Sequence, residues 1–260
     1  MGVVNVTPDS FYDGGAFRDA GAARARIDRV VEEGAAIVDI GGESTRPGAS
    51  PVSPAEELDR VMTAIEHAVT LPVVVSVDTS RPQVMRAAIA AGAHMVNDVR
   101  ALRLAGALEA VAGSKVATCL MHMQGEPGGM QDDPRYEDVV NEVADFLAAR
   151  VQACTQAGIG RERIAIDPGF GFGKTLEHNL ELLRRLGQLA SPGLPLLAGL
   201  SRKRMIGSLT GRPVGARLAG SIALATIAAL RGACIVRAHD VAETVDALRM
   251  VAAAREGGAG

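Results

Sequence analysis

The segment Asp167-Pro-Gly-Phe-Gly-Phe-Gly-Lys174 sets a carboxylate, three glycines at alternate positions and a lysine side by side. Its ending, Gly173-Lys174-Thr175, is that of a phosphate loop, but Pro168 stands where the first glycine of G-x-x-x-x-G-K-[ST] belongs. Proline fixes φ and has no N–H, so a backbone cradle for phosphate cannot form there. What remains is a carboxylate followed by glycines that let the chain turn tightly and let a flat ligand approach the backbone. Such a carboxylate can accept two adjacent N–H donors of a planar heterocycle in bidentate fashion. A capping role for Asp167 fails on distance, because the helix signalled by Thr175 starts eight residues later.

Other groups able to do chemistry stand just after short apolar runs. They are Asn5, Asp39, Asp78, Asn97-Asp98, His122, Asp167, Ser201-Arg202-Lys203, and Arg237 with His239. Asp39 leads into Gly41-Gly-Glu-Ser-Thr-Arg-Pro-Gly48, and Arg237 and His239, two apart, leave a strand on the same side. A single polar residue after a strand is ordinarily a cap or a turn residue. Eight such ends in succession, with cations and acids among them, predict one converged site.

The elements that must hold these groups follow a single repeating pattern. The β-rich runs fall at 1–6, 37–40, 73–77, 95–96, 116–121, 164–166, 195–198 and 235–236. Between them, Leu58, Val61, Met62, Ile65 and Val69 keep helical spacing, as do Val139, Val140, Val143, Leu147, Val151 and Cys154. Ser53-Pro-Ala-Glu56 and Ser80-Arg-Pro-Gln83 predict capping boxes, and Gly34, Gly92 and Gly158 predict left-handed helix ends. Apolar strands alternating with helices predict a parallel sheet covered on its outer face. Eight of each in about 250 residues match an α/β fold of the closed (β/α)8 TIM-barrel type, whose strand ends meet at one mouth. A doubly wound open sheet is the second reading, but no G-x-G-x-x-G follows the first strand. No composition break divides residues 1–260, so one domain is expected.

Composition narrows the functional classes. A net charge of −3 offers no electrostatic case for nucleic acid or acidic membranes. No apolar run reaches the ~18 residues of a membrane helix, and no signal-peptide pattern opens the chain. With 48% hydrophobic but only 3% aromatic residues, the core must be aliphatic. Cys119, Cys154 and Cys234 are odd in number and far apart, which predicts reduced, buried or half-buried thiols in a cytoplasmic protein.

Taken together, the motifs resemble the dihydropteroate synthase family. Asn5-Val-Thr-Pro-Asp-Ser-Phe11 is similar to its opening signature. The segments 41–48, Asp78-Thr-Ser80, Asn97-Asp-Val99, Met121-His-Met-Gln-Gly125, 167–174, Ser201-Arg-Lys-Arg-Met-Ile-Gly207 and Arg237-Ala-His-Asp240 continue it in order, nearly end to end. The chain departs from the family pattern in lacking the short hairpin that usually precedes the first signature. It also has Arg100-Ala101 where Ser-Gly is common and Ala238 where valine is frequent.

The resemblance implies a transferase that joins 4-aminobenzoate to 6-hydroxymethyl-7,8-dihydropterin diphosphate, giving 7,8-dihydropteroate and pyrophosphate in folate biosynthesis. It also implies sulfonamide inhibitors competing for the aminobenzoate pocket, a homodimer and Mg²⁺. Carried over by motif, Asp78, Asn97, Asp167 and Lys203 hold the pterin with Arg237 nearby. Asn5, as metal ligand, goes with Thr45, Arg237 and His239 in the diphosphate region. Lys203, Arg237, His239 and Asp167 are the implied catalytic groups. Loops 7–17 and 43–51 close over aminobenzoate, with Phe11, Thr45, Arg46, Pro47 and Phe172 around it and Asp9 in the first loop. The turn after Ser201 is expected to hold the aminobenzoate carboxylate. Two rival readings are a pterin-binding methyltransferase domain, against which the diphosphate groups argue, and a non-catalytic pterin-binding paralogue.

Overall fold

The computed structural model describes residues 1–6, 16–43, 52–126, 128–190 and 193–256. The predicted eight strands form as β1 (Gly2–Asn5), β2 (Ile37–Gly41), β3 (Val74–Asp78), β4 (Met95–Asp98), β5 (Ala117–Met121), β6 (Ile164–Asp167), β7 (Leu197–Gly199) and β8 (Ile235–Arg237). The helices are α1 (Ala16–Glu32), α2 (Pro54–Ala68), α3 (Pro82–Ala90), α4 (Ala107–Ala112), α5 (Val139–Gln156), α6 (Leu176–Arg184), α7 (Arg204–Thr210), α8 (Leu218–Leu230) and α9 (Val241–Glu256). Strands β1 to β6 pair in sequence order, all parallel, and β7 pairs with β8. Single bridges Ile166↔Leu196 and Gly2↔Ala238 join the two sheets on both sides, so the strands close into a barrel.

Alternation within the apolar runs sorts side chains between two environments. In β2, Val38 and Ile40 face the helices while Asp39 and Gly41 face inward; in β3, Val75 and Val77 face out while Ser76 and Asp78 face in. The outward set joins one large core with the helices. Inside, Met95, Cys119, Ala165 and Leu197 fill the lower barrel. The inward positions nearer the mouth are polar, which is where strand ends bring chemistry.

Local signals mostly act as the sequence predicts. All six residues expected on the buried face of α5 are buried, and Gly34, Gly92 and Gly158 adopt φ of 92°, 98° and 90°. Ser53 Oγ accepts the Glu56 N–H at 3.2 Å, although the Glu56 carboxylate turns to Arg60 instead of completing the box. The second box does not form. Ser80 Oγ donates to Asp98 Oδ1 at 2.5 Å, and α3 starts at Pro82 with no side-chain cap. The buried face of α2 is rotated from the expected one: Glu57, Val61, Ala64, Ile65 and Ala68 are buried. Glu57 goes inside because Arg81 Nε lies 2.8 Å from its carboxylate. Burial raises its pKa, and hydrogen bonding with Thr79 opposes that rise. The thiols also divide differently from expectation, with Cys119 and Cys154 buried but Cys234 exposed; among the described residues all three are free.

Candidate active site

One cleft at the mouth is lined by Asp78, Asn97, Asp167, Phe172, Lys203, Arg237 and His239, with Ser201 among its walls. Seven residues singled out from sequence thus come together from five strand ends. Asn5 lies at the end of β1, opposite Gly41, which in turn faces Asp78 across β2 and β3. It is half-buried on the same rim but is not part of the cleft wall. Phe11, Thr45, Arg46 and Pro47, with Asp9, lie outside the described residues.

Charge organises the floor. Arg237 Nε donates to Asp39 Oδ2 at 2.6 Å and Nη2 to Asp78 Oδ2 at 2.8 Å. Two of the five guanidinium donors are therefore engaged by carboxylates, leaving Nη1 as the main group for a phosphate oxygen. This narrows the expectation of a whole fork open to diphosphate. Asp39, fully buried, also accepts from Ser76 Oγ at 2.6 Å and from Asn97 Nδ2 at 3.1 Å. Because a carboxylate only accepts, the Asn97 amide must turn its nitrogen to Asp39, which leaves Oδ1 to accept from a ligand. Sequence reasoning noted Asp39 at a strand end without giving it this task. Burial pushes the Asp78 pKa up to about 7, Arg237 holds it down, and Asp39 and Asp98 push it up again.

Asp167 sits at the end of β6, buried, with Oδ1 accepting the Gly169 N–H at 2.7 Å. Burial raises its pKa, opposed by that bond and by Lys203 and Lys174. Lys203 Nζ donates to the Phe170 carbonyl at 2.5 Å and lies 4.3 Å from the Phe172 ring centre. Burial lowers its pKa to about 8, and Asp167 opposes that fall. Ser201 Oγ meets the His239 N–H at 3.2 Å and its ring Nδ1 at 3.0 Å, which fixes the imidazole. Arg202, at φ 57°, turns away to pair with Asp240. With seven residues, α7 offers only a short dipole to the carboxylate assigned to its first turn.

Two predicted members of the ring leave it. Asp98 accepts from Ser80 Oγ and from the N–H groups of Arg100 and Leu102, and so supports a loop in which Ala101 and Leu102 have positive φ. His122 is buried against Lys174, with Nδ1 2.9 Å from Nζ.

The turn after β6 explains both lysines. Its carbonyls at 169 through 173 are all taken by side-chain donors. Lys174 Nζ donates to Gly169 O at 3.0 Å and Phe172 O at 2.9 Å. Lys203 takes Phe170 O, Gln131 Nε2 takes Gly171 O at 2.5 Å, and Tyr136 Oη takes Gly173 O at 2.8 Å. A phosphate loop turns N–H groups inward; here three of the five oxygens meet lysine amino groups and the other two a side-chain amide and a phenol. Gly169 and Gly173 have φ of 67° and 58°, and a Cβ on either would run into the carbonyl oxygen of His122 or Gln124.

A closed barrel whose mouth gathers carboxylate, amide, amine and guanidinium groups around one cleft belongs with enzymes of heteroaromatic substrates. Residues 1–239 match the family described as pterin-binding enzymes, and the chain belongs to it. Within that family it is similar to dihydropteroate synthases. The enzyme of that name from Escherichia coli K12 is 51% identical over 254 residues, covering 97% of this chain and 90% of its own. The Yersinia pestis dihydropteroate synthase, solved with a sulfonamide drug, superposes with a TM-score of 0.94 at 49% identity, covering 98% of this chain and 94% of that one. The Xanthomonas albilineans enzyme, solved with 4-aminobenzoic acid, gives 0.93 at 54% identity, with 98% and 92% covered.

Proposed function

We propose that this chain condenses 6-hydroxymethyl-7,8-dihydropterin diphosphate with 4-aminobenzoate, releasing pyrophosphate. The reading is carried by one observation: Asp78, Asn97, Asp167, Lys203, Arg237 and His239 share a single cleft. The pterin edge is a flat array of N–H donors and ring acceptors. Asp167 accepts from its guanidine-like side, Asn97 Oδ1 accepts beside it, and Lys203 donates to the ring carbonyl or N5. Leaving any of these groups unpaired would cost ~1–3 kcal/mol each, so the slot discriminates against analogues that lack the edge.

Carbon–oxygen cleavage puts negative charge on the departing diphosphate, which Arg237 and His239 meet. The electron-rich dihydropterin can support the methylene cation left behind; the neutral aromatic amine then attacks it, and the surplus proton on its nitrogen passes to the released pyrophosphate or to water. Such a dissociative course requires no strong general base. Phe172 would form a wall of the aminobenzoate pocket, where a sulfonamide would compete, as the drug-bound Yersinia pestis relative supports.

Mg²⁺ belongs to the same proposal. It keeps several waters and binds through one or two protein oxygens plus substrate phosphates. A half-buried asparagine on the rim fits that demand, and among the described residues no cluster of three His, Cys, Asp or Glu offers a competing cage. Asn5 would hold the ion, which when bound would neutralise diphosphate charge.

The experiment is a pyrophosphate-release assay with both substrates, with and without Mg²⁺. Lys203→Ala is expected to lower kcat/KM at least tenfold, about 1.4 kcal/mol. Wild-type rates in that variant would remove Lys203 from the site. Under single turnover, pyrophosphate should appear without aminobenzoate, and its absence would withdraw the dissociative course.

We also propose a homodimer. Among the described residues six of the eight exposed large hydrophobics, Leu209, Val214, Leu218, Ile227, Leu230 and Met250, fall between the start of α7 and the end of α9. Such a concentration suits an interface. Sedimentation equilibrium should give twice 26.9 kDa, and a monomer at micromolar concentration would exclude the dimer. No helix among the described residues is long and apolar enough to cross a membrane. The free thiols support a cytoplasmic location.

A further inference from the structure

Lys174 is buried and lies outside the cleft wall, yet it holds the piece of chain that carries Phe172. Its amino group closes on Gly169 O, Phe172 O and His122 Nδ1, with His122 O at 3.5 Å, so four polar atoms from two loops surround one nitrogen. The charged and titratable groups that bear on it are Asp167 from β6, Lys203 from the turn after β7 and His122 from the end of β5. His122 remains neutral near pH 7, its pKa brought down to about 3 by burial and by Lys174. Burial also lowers the Lys174 pKa, to about 7. Both of its protonation states satisfy the cluster. An ammonium donates three bonds, and an amine donates two and accepts one from the other imidazole tautomer.

Asp167 and Phe172 depend on this turn to different degrees. Asp167 is part of β6, in register with Met121 of β5, and keeps its place through the barrel ladder. Phe172 has no strand to hold it. Its N–H donates to Gly169 O at 3.1 Å, and Lys174 takes its carbonyl. Its side chain packs against the small cluster of Val99, Met121, Met123 and Met130, and Lys203 Nζ lies 4.3 Å from its ring centre. Removing the amino group would leave Phe172 O without its donor and Gly169 O with the Phe172 N–H alone, and free the turn to shift, while β6 stays put.

We propose that Lys174 is a positioning residue for the second substrate: its amino group fixes the Phe172 wall against which the 4-aminobenzoate ring packs, and leaves the pterin slot to the strands. This rests on the proposed function in taking Phe172 as that wall. Three variants, each checked for folding by circular dichroism, test it. Lys174→Met should raise KM for 4-aminobenzoate at least tenfold. Its kcat, and its dissociation constant for pterin diphosphate measured calorimetrically without aminobenzoate, should stay within threefold of wild type. Equal loss for both substrates, or no change in KM, would overturn the proposal. Phe172→Ala should raise the same KM. If it does so while Lys174→Met does not, only the Lys174 role falls; if Phe172→Ala leaves KM unchanged, the wall assignment falls with it. Should Lys174→Met not fold, Tyr136→Phe, which strips one hydroxyl from the Gly173 carbonyl, decides. A rise of about threefold in KM for aminobenzoate with pterin affinity intact supports the proposal, and a flat KM overturns it.

Discussion

Asp167→Asn is expected to weaken pterin diphosphate binding at least a hundredfold, about 2.7 kcal/mol, with little change in stability. The carboxylate only accepts, and the pterin edge offers it N–H donors. An amide would set its own N–H2 against one of those donors, leaving both unpaired in a buried place, at ~1–3 kcal/mol for each. The fold should tolerate the exchange. The amide oxygen can still accept the Gly169 N–H that Oδ1 accepts now. Burial already disfavours the charge at this position, which offsets the loss of its attraction to Lys203 and Lys174 on neutralisation. Calorimetric titration with pterin diphosphate, alongside a thermal melt, checks both halves. An affinity within threefold of wild type would mean that Asp167 does not read the ring.

The second large effect falls on stability as well as turnover. Arg237→Met removes the cation between Asp39 and Asp78 and leaves two carboxylates facing each other, one of them fully buried. Breaking a buried pair by deleting one partner typically costs about 3–5 kcal/mol, and pyrophosphate release should fall at least a hundredfold. The pH dependence has a definite sign. Asp78 already titrates near 7, above its ordinary 3.8, with Arg237 holding the value down. A carboxyl whose folded pKa is raised loses stability as pH climbs toward that value, and without the arginine the value rises further. The Tm deficit of the variant should therefore be larger at pH 8.5 than at pH 5.5. An equal deficit at both would mean that carboxylate repulsion is not what destabilises it.

Much of the barrel was legible because its cues are local. Val-Ser-Val-Asp in β3 and Val-Asp-Ile-Gly in β2 alternate apolar and polar residues, and that alternation is what sorts helix-facing from inward side chains. The strand-end rule found Asp78, Asn97, Asp167, Lys203, Arg237 and His239, since a parallel barrel turns sequence position into height along its axis. It could not separate residues that look into the cleft from those that look sideways. Asp98 and His122 occupy equivalent ends but bond to loop backbone and to Lys174, partners set by neighbouring connections. Asp39 was seen but not assigned. Its role depends on Ser76, Asn97 and Arg237 from three other strands, and no local pattern records such a meeting. Likewise, a helical wheel turns the charged Glu57 outward; Arg81 and Thr79, on a different connection, explain why it is inside.

The carbonyls of Gly169 and Phe172, both turned to Lys174, also bear on what this protein should ignore. Its Gly-Lys-Thr lettering invites comparison with nucleotide-binding proteins, yet the electrostatic polarity there is inverted. An ATP-shaped ligand approaching Lys174 would meet a collar of partial negative charge around an amine that already has its full complement of partners. Triphosphates should therefore be indifferent to this corner of the mouth, and a screen for purine nucleotide competitors has no physical reason to find one there.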